Sequence, residues 1–196
     1  MHKPISQAQI LIAGPARNNA DTLATEITTL LNSVVGFQKA YCLVVESDST
    51  DNTLDALEEL KNTISSFDYI SFGHLSKKMP NRTERLAFAR NCILDELRNN
   101  PQYALVDYVV MADLDGVNRS ITREKIEACW DLTEPWDVIT AIQSGIHAGH
   151  YCPRARLTYA GAAGAVPDGR GHAPHEPPSG RFYRQSQGHI FRRSFQ

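Results

Sequence analysis

No stretch of this 196-residue chain approaches the roughly 18 apolar residues that suggest a membrane span. Its opening, residues 1–9, is too polar for a secretory signal, so cytoplasmic residence is the expectation. None of the four cysteines, Cys42, Cys92, Cys129 and Cys152, stands in a close CxxC pair, which argues against a zinc site. Cys42 and Cys92 fall in apolar patterns and are expected to be buried free thiols. There is no GxxxxGKS/T segment, which argues against a P-loop. Internal repeats are lacking too. From residue 144 onward there is no lysine, and the only acids are Asp168 and Glu176.

The part before residue 144 is different. At 42% hydrophobic residues the chain can bury a core of one domain. Its net charge of −2 conceals two unlike stretches. Residues 1–143 are acidic, with 13 Lys and Arg against 20 Asp and Glu, whereas residues 144–196 carry seven Arg. That second stretch also holds eight of the 12 Gly and five of the 10 Pro, without a useful apolar period. The expectation is a domain over 1–143 and a poorly ordered, mostly irregular tail over 144–196.

Within 1–143, strand and helix patterns alternate. Residues 9–13 form a short apolar run ending at Gly14-Pro15, which predicts a buried strand. Leu23, Ile27, Leu30, Leu31 and Val34 follow at helical spacing, with Asn19 or Asp21 available as N-cap. Residues 41–45 predict a second strand, running into the polar turn 46–51. Leu54, Leu57, Leu60 and Ile64 mark a second helix, 69–72 a weaker strand, 84–98 a third helix, 106–112 a strong strand and 136–141 a last one. Alternation of this kind predicts an α/β fold with a mainly parallel, Rossmann-like sheet flanked by helices.

Ligands of such sheets bind beyond the carboxyl ends of the strands. Arg17 follows the first strand, Glu46 and Asp48 the second, and Asp113 and Asp115 the fourth, so these groups are expected along one edge. Asp113 and Asp115, at i and i+2, point the same way if extended geometry persists. They are then placed to share one hard divalent ion, Mg²⁺ or Mn²⁺, with positions open to phosphate oxygens. The plain alternative is a solvated Asp-x-Asp-Gly turn. Arg90 lies four residues after Leu86 and three before Ile93, which predicts a charge on the buried stripe of its helix. Such a charge needs a partner: Asp48, Asp113 or a phosphate, with a purely structural ion pair equally open. Arg82 projects near Arg90, two turns earlier, although Arg82 and Arg85 also read as surface charges. Glu46 is suited to accept bonds from a base or a ribose hydroxyl. Asp51, Asn52 and Thr53 are best read as caps of the next helix.

In order and spacing these segments resemble the nucleotide-binding half of GT-A glycosyltransferases. Residues 12–19 (IAGPARNN) resemble the opening strand and nucleoside-contacting turn. Residues 44–53 (VVESDSTDNT) resemble the acid-tipped second strand with its capped helix, and 82–91 (RTERLAFARN) the helix before the metal strand. Asp113-Leu114-Asp115 stands at the DxD motif. The nearest likeness is to Cap59-like mannosyltransferases, then bacterial family-2-like enzymes, over about residues 8–141. The resemblance implies a metal-dependent transfer of a hexose from a nucleotide sugar to a glycan or lipid-linked acceptor. It gives Arg17 and Glu46 to the nucleoside, and Asp113 and Asp115 to the sugar diphosphate through Mn²⁺ or Mg²⁺. Arg90 would support the diphosphate or Asp113, with Asp48 and Arg82 in the same donor site. Peripheral membrane association is left open and nucleic acid is not expected as a partner.

The resemblance stops near residue 143, and no catalytic base or acceptor pocket can be named beyond it. One account of the Lys-free tail is translation out of frame, which the genomic sequence would test. Two rival readings remain. One is a catalytically incomplete GT-A piece that binds nucleotide weakly or not at all. The other is a haloacid-dehalogenase-like phosphatase with Asp113 as nucleophile and Asp115 as acid. The second resembles residues 109–117 (VVMADLDGV), but that motif usually opens its domain, and Lys125 is the only later lysine.

Overall fold

The computed structural model describes residues 2–132, 136–140, 158–160 and 189–192. Seven strands form one sheet among the described residues. They are β1 (Gln9–Ala16), β2 (Lys39–Glu46), β3 (Phe67–Ser71), β4 (Tyr108–Met111), β5 (Val138–Thr140), β6 (Thr158–Ala160) and β7 (His189–Arg192). The order is β3-β2-β1-β4-β7-β5-β6. The first four strands in that order run parallel, and β7, β5 and β6 continue the sheet antiparallel. The expected α/β sheet is therefore present, with an antiparallel extension.

Among the described residues four α-helices flank it: α1 (Ala20–Ser33), α2 (Thr53–Thr63), α3 (Arg82–Asn99) and α4 (Arg123–Glu127). Strands covered on both faces need apolar residues at consecutive positions rather than alternate ones. In β1, Ile10 and Ile12 turn to one face with Leu23, Ile27 and Leu30 of α1 and Leu57 of α2. Leu11 and Ala13 turn to the other with Ala89, Ile93 and Leu97 of α3. Among the described helices, none is long and apolar enough to cross a membrane.

Several boundaries differ from the sequence expectation. β1 does not stop at Gly14-Pro15 but continues to Ala16, with Gly14 paired to Val44 and Pro15 to Val45. A side chain at position 14 would collide with the Ala112 carbonyl oxygen, so glycine here serves a close strand approach rather than a turn. Cys42 is buried as expected, whereas Cys92 is half-buried. Two short stretches of the segment expected to be mostly irregular join this sheet. Residues 158–160 and 189–192 are sheet strands, and Ile190 of β7 is buried in the core beside Ile139. The rest of 144–196 lies outside the described residues.

The α1 face is closed at one end by aromatic rings. Trp136 stacks on His2 at 4.4 Å between centroids and meets Trp130 edge-on at 5.4 Å. Its indole N–H donates to the Cys129 carbonyl at 2.8 Å, so a large buried ring keeps its one donor satisfied.

Candidate functional site

The carboxyl ends of β1, β2 and β4 open onto one edge, where three polar turns meet. After β1, Asn18 takes a left-handed φ of 50°, a conformation asparagine tolerates better than most residues. Its amide donates to Ser49 Oγ at 3.1 Å, and its Oδ1 accepts from the Thr50 amide at 2.7 Å. These bonds tie the turn after β1 to the turn after β2. Asn18 is exposed, whereas Asn19 is buried and donates its side-chain amide to the Leu114 carbonyl, so reaching the turn after β4. Its side chain does not cap α1; Asp51 does, accepting from the Ala20 amide at 3.2 Å and from the Thr53 amide at 3.1 Å. One carboxylate thus serves the starts of both α1 and α2.

Arg17 is exposed, and its Nε donates to the Asp48 carbonyl at 3.1 Å. Glu46 is buried; its carboxylate accepts from the Ser49 amide at 2.9 Å and from the Ser71 hydroxyl. Asp48 is buried too, in a left-handed φ of 62°. Its Oδ1 accepts from the Ser76 amide at 2.8 Å, and Arg85 Nε stands 3.2 Å from its Oδ2. Burial alone would raise the Asp48 carboxyl, but the bonds from Ser76 and the charges of Arg85 and Arg17 outweigh it and hold it below its ordinary value.

Asp113 and Asp115 lie just past β4. The residues that alternate with them, Ala112 and Leu114, are buried, whereas Asp113 is half-buried and Asp115 exposed. Arg90 Nη2 lies 3.0 Å from Asp113 Oδ1. The Asp115 carboxyl is pushed up, first by partial desolvation and then by repulsion from Asp113 and Glu26, with Arg82 only partly offsetting these. Arg82, Arg90, Asp113 and Asp115 therefore form one electrostatic cluster, while Arg17 belongs to the neighbouring turn over Asp48.

The expectation for α3 needs correction in its helical phase. The buried stripe is Ala89, Ile93 and Leu97, and Arg90 is exposed at the rim of the site. The arginine turned inward is Arg85, whose side chain is 12% exposed. Leu86, which helped set the phase in the sequence, is only half-buried.

Glu26 escaped the sequence reading altogether. It is buried on α1, and its Oε2 accepts from the Gly116 amide at 2.9 Å. Its Oε1 accepts from the Asn118 amide at 3.1 Å and from Asn118 Nδ2 at 2.9 Å. The signal was present in the sequence, because an acid three residues after Leu23 and four before Leu30 falls on the buried stripe of that helix.

The carboxylate pair fits a hard divalent ion. Asp115 has no ion pair among the described residues, and its charge stands against two other carboxylates, a situation that a cation relieves. No group of three His, Cys, Asp or Glu side chains is assembled for a metal among the described residues. Mg²⁺ and Mn²⁺ sites need only one or two carboxylates when phosphate oxygens and water complete the shell. The lysine required by the phosphatase reading, Lys125, instead donates to the Ser120 carbonyl at 2.6 Å.

No family model matches this chain, and no curated protein matches it. Among solved structures, the chain is similar to the mannosyltransferase PcManGT from Pyrobaculum calidifontis, solved with GDP-Man and Mn²⁺. That overlap has a TM-score of 0.49 at 19% identity and covers 67% of this chain and 34% of the other. A structure of S. aureus TarS 1–349 in complex with UDP overlaps with a TM-score of 0.48 at 17% identity, over 74% of this chain and 38% of that one. This chain therefore spans well under half the length of either.

Proposed function

We propose that this chain carries the donor-binding part of a metal-dependent GT-A glycosyltransferase. Its reaction moves a hexose from a nucleotide sugar to a glycan or lipid-linked acceptor, in the cytoplasm. The observation that supports this reading is the carboxylate pair Asp113 and Asp115 at the carboxyl edge of the central parallel strand β4, flanked by Arg90 and Arg82.

In this reading Asp113 and Asp115 hold Mn²⁺ or Mg²⁺. A bound ion would supply positive charge for the diphosphate leaving group, which the acceptor displaces at the anomeric carbon. Arg90 orients Asp113 through their ion pair. Arg82, beside Asp115, offers a planar fork suited to phosphate oxygens. Arg17, held at Nε by Asp48, reaches the nucleoside with its terminal nitrogens. Glu46 and Asp48 brace the nucleoside turn from below, each already bonded within the protein.

The test is calorimetry of UDP and of GDP, with and without Mn²⁺, on wild type and Asp115→Ala. The expected result is Mn²⁺-dependent binding of one nucleotide, lost in the variant. Absence of binding to either nucleotide would sink the proposal. Release of phosphate from a simple phosphomonoester, lost in Asp113→Asn, would favour the phosphatase instead.

A further inference from the structure

We infer that Glu26, working through Asn118, is a positioning residue for the Asp113–Asp115 pair. The inference rests on the metal reading of that pair and adds residues which the motif does not contain.

β4 ends at Met111, and the last strand-like bond is from the Ala112 amide to the Ala13 carbonyl at 2.8 Å. Asp113 and Asp115 therefore lie beyond the ladder, on backbone that pairing no longer holds. Gly116 follows with φ of 89°, a left-handed turn that needs external support to keep one geometry.

Glu26 provides that support. One buried carboxylate accepts from three donors, the Gly116 amide, the Asn118 amide and Asn118 Nδ2. Asn118 Nδ2 also donates to the Asp113 carbonyl at 2.7 Å. The segment is thus pinned behind Asp115 by Glu26 and at Asp113 by Asn118, with the Asn19 bond to Leu114 between them. Neither side chain is needed to hold α1 on the sheet, which is the work of Leu23, Ile27 and Leu30. Glu26 also adds a fixed negative charge behind Asp115, which favours a cation in front of it. A buried acid whose bonds all go to the metal-holding loop matches the outer shell that orients ligands in metal sites.

Two variants separate the contributions. Glu26→Gln keeps the shape but removes the charge and turns a donor toward a donor. Asn118→Ala keeps the charge and cuts the link to Asp113. Mn²⁺ affinity is measured by electron paramagnetic resonance, with UDP and separately GDP present. Thermal unfolding and backbone hydrogen exchange are followed on the same samples without metal. The expected result is a loss of about 10- to 100-fold in Mn²⁺ affinity for both variants, as for other outer-shell changes. Nearly unchanged Tm should accompany it for Asn118→Ala, and faster exchange at the Gly116 amide for Glu26→Gln. A wild type that binds Mn²⁺ and two variants that bind it equally well would overturn the inference alone. A wild type that binds no Mn²⁺ would overturn the metal reading, and this inference with it. Should Glu26→Gln fail to fold, Asn118→Ala decides the matter.

Discussion

Arg90 Nη2 stands 3.0 Å from Asp113 Oδ1, across the gap between α3 and the end of β4. Both side chains are partly open to solvent, so their pairing contributes little to stability; exposed pairs are worth roughly 0–1 kcal/mol. The position of the pair at the strand edge points to ligand handling instead. Arg90→Ala should change the urea unfolding free energy by less than about 1 kcal/mol. The same variant should weaken Mn²⁺-dependent nucleotide binding about tenfold, a loss of roughly 1.4 kcal/mol. Calorimetry and urea titration of one preparation check both halves.

Arg85 and Asp48 should behave in the opposite manner. Their side chains are 12% and 3% exposed, and removing one partner leaves a buried charge uncompensated. Arg85→Ala should cost about 3 kcal/mol in chemical denaturation, the usual scale for breaking a buried pair. The sign of the pH effect follows from the depressed Asp48 carboxyl. Its stabilisation is present above the unfolded value, about 3.9, and is lost as pH falls through the lower folded value. Wild type should therefore lose stability below about pH 4 more steeply than Arg85→Ala.

Asp115 carries the reverse sign. Its folded carboxyl is raised by desolvation and by Asp113 and Glu26, so the ionised form weighs against the folded state. That cost is absent below the unfolded value and complete once pH exceeds the folded one. Asp115→Asn should therefore match or exceed the Tm of wild type at neutral pH without metal. With Mn²⁺ and the nucleotide it binds, wild type should gain Tm and the variant should not, because only a ligand that binds the native state stabilises it. Differential scanning fluorimetry reads both; a variant less stable than wild type without metal would contradict the electrostatic argument.

Ile190 tests the far part of the chain. It is buried in β7, between β4 and β5. Ile190→Ala should cost about 2–5 kcal/mol, the range for truncating a core aliphatic. An unchanged urea midpoint would mean that residues 189–192 do not belong to the folded unit.

The alternation of strands and helices was legible because each strand's apolar run and each helix's 3.6-residue stripe are local patterns. The candidate edge was legible for a related reason: in a parallel sheet, chain direction alone sends the residues after β1, β2 and β4 to one side. The phase of α3 was not. Leu86 and Ile93 suggested a stripe containing Arg90, and rotating the helix by one position brings Arg85 inward instead. Only the depth of the groove against β1 and β2 chooses between such phases. The neighbourhood of β7 was equally hidden, since its residues lie some 80 positions from those of β4 that they pair with, and no local period encodes such a partner. Sequence by itself determined the α/β class, the order of β1 to β4 with α1 to α3 between them, and the presence of two carboxylates after a strong strand. The tertiary structure decided which arginine meets which aspartate and which buried acid braces the loop, because those choices depend on distances between segments that meet only when the sheet is assembled.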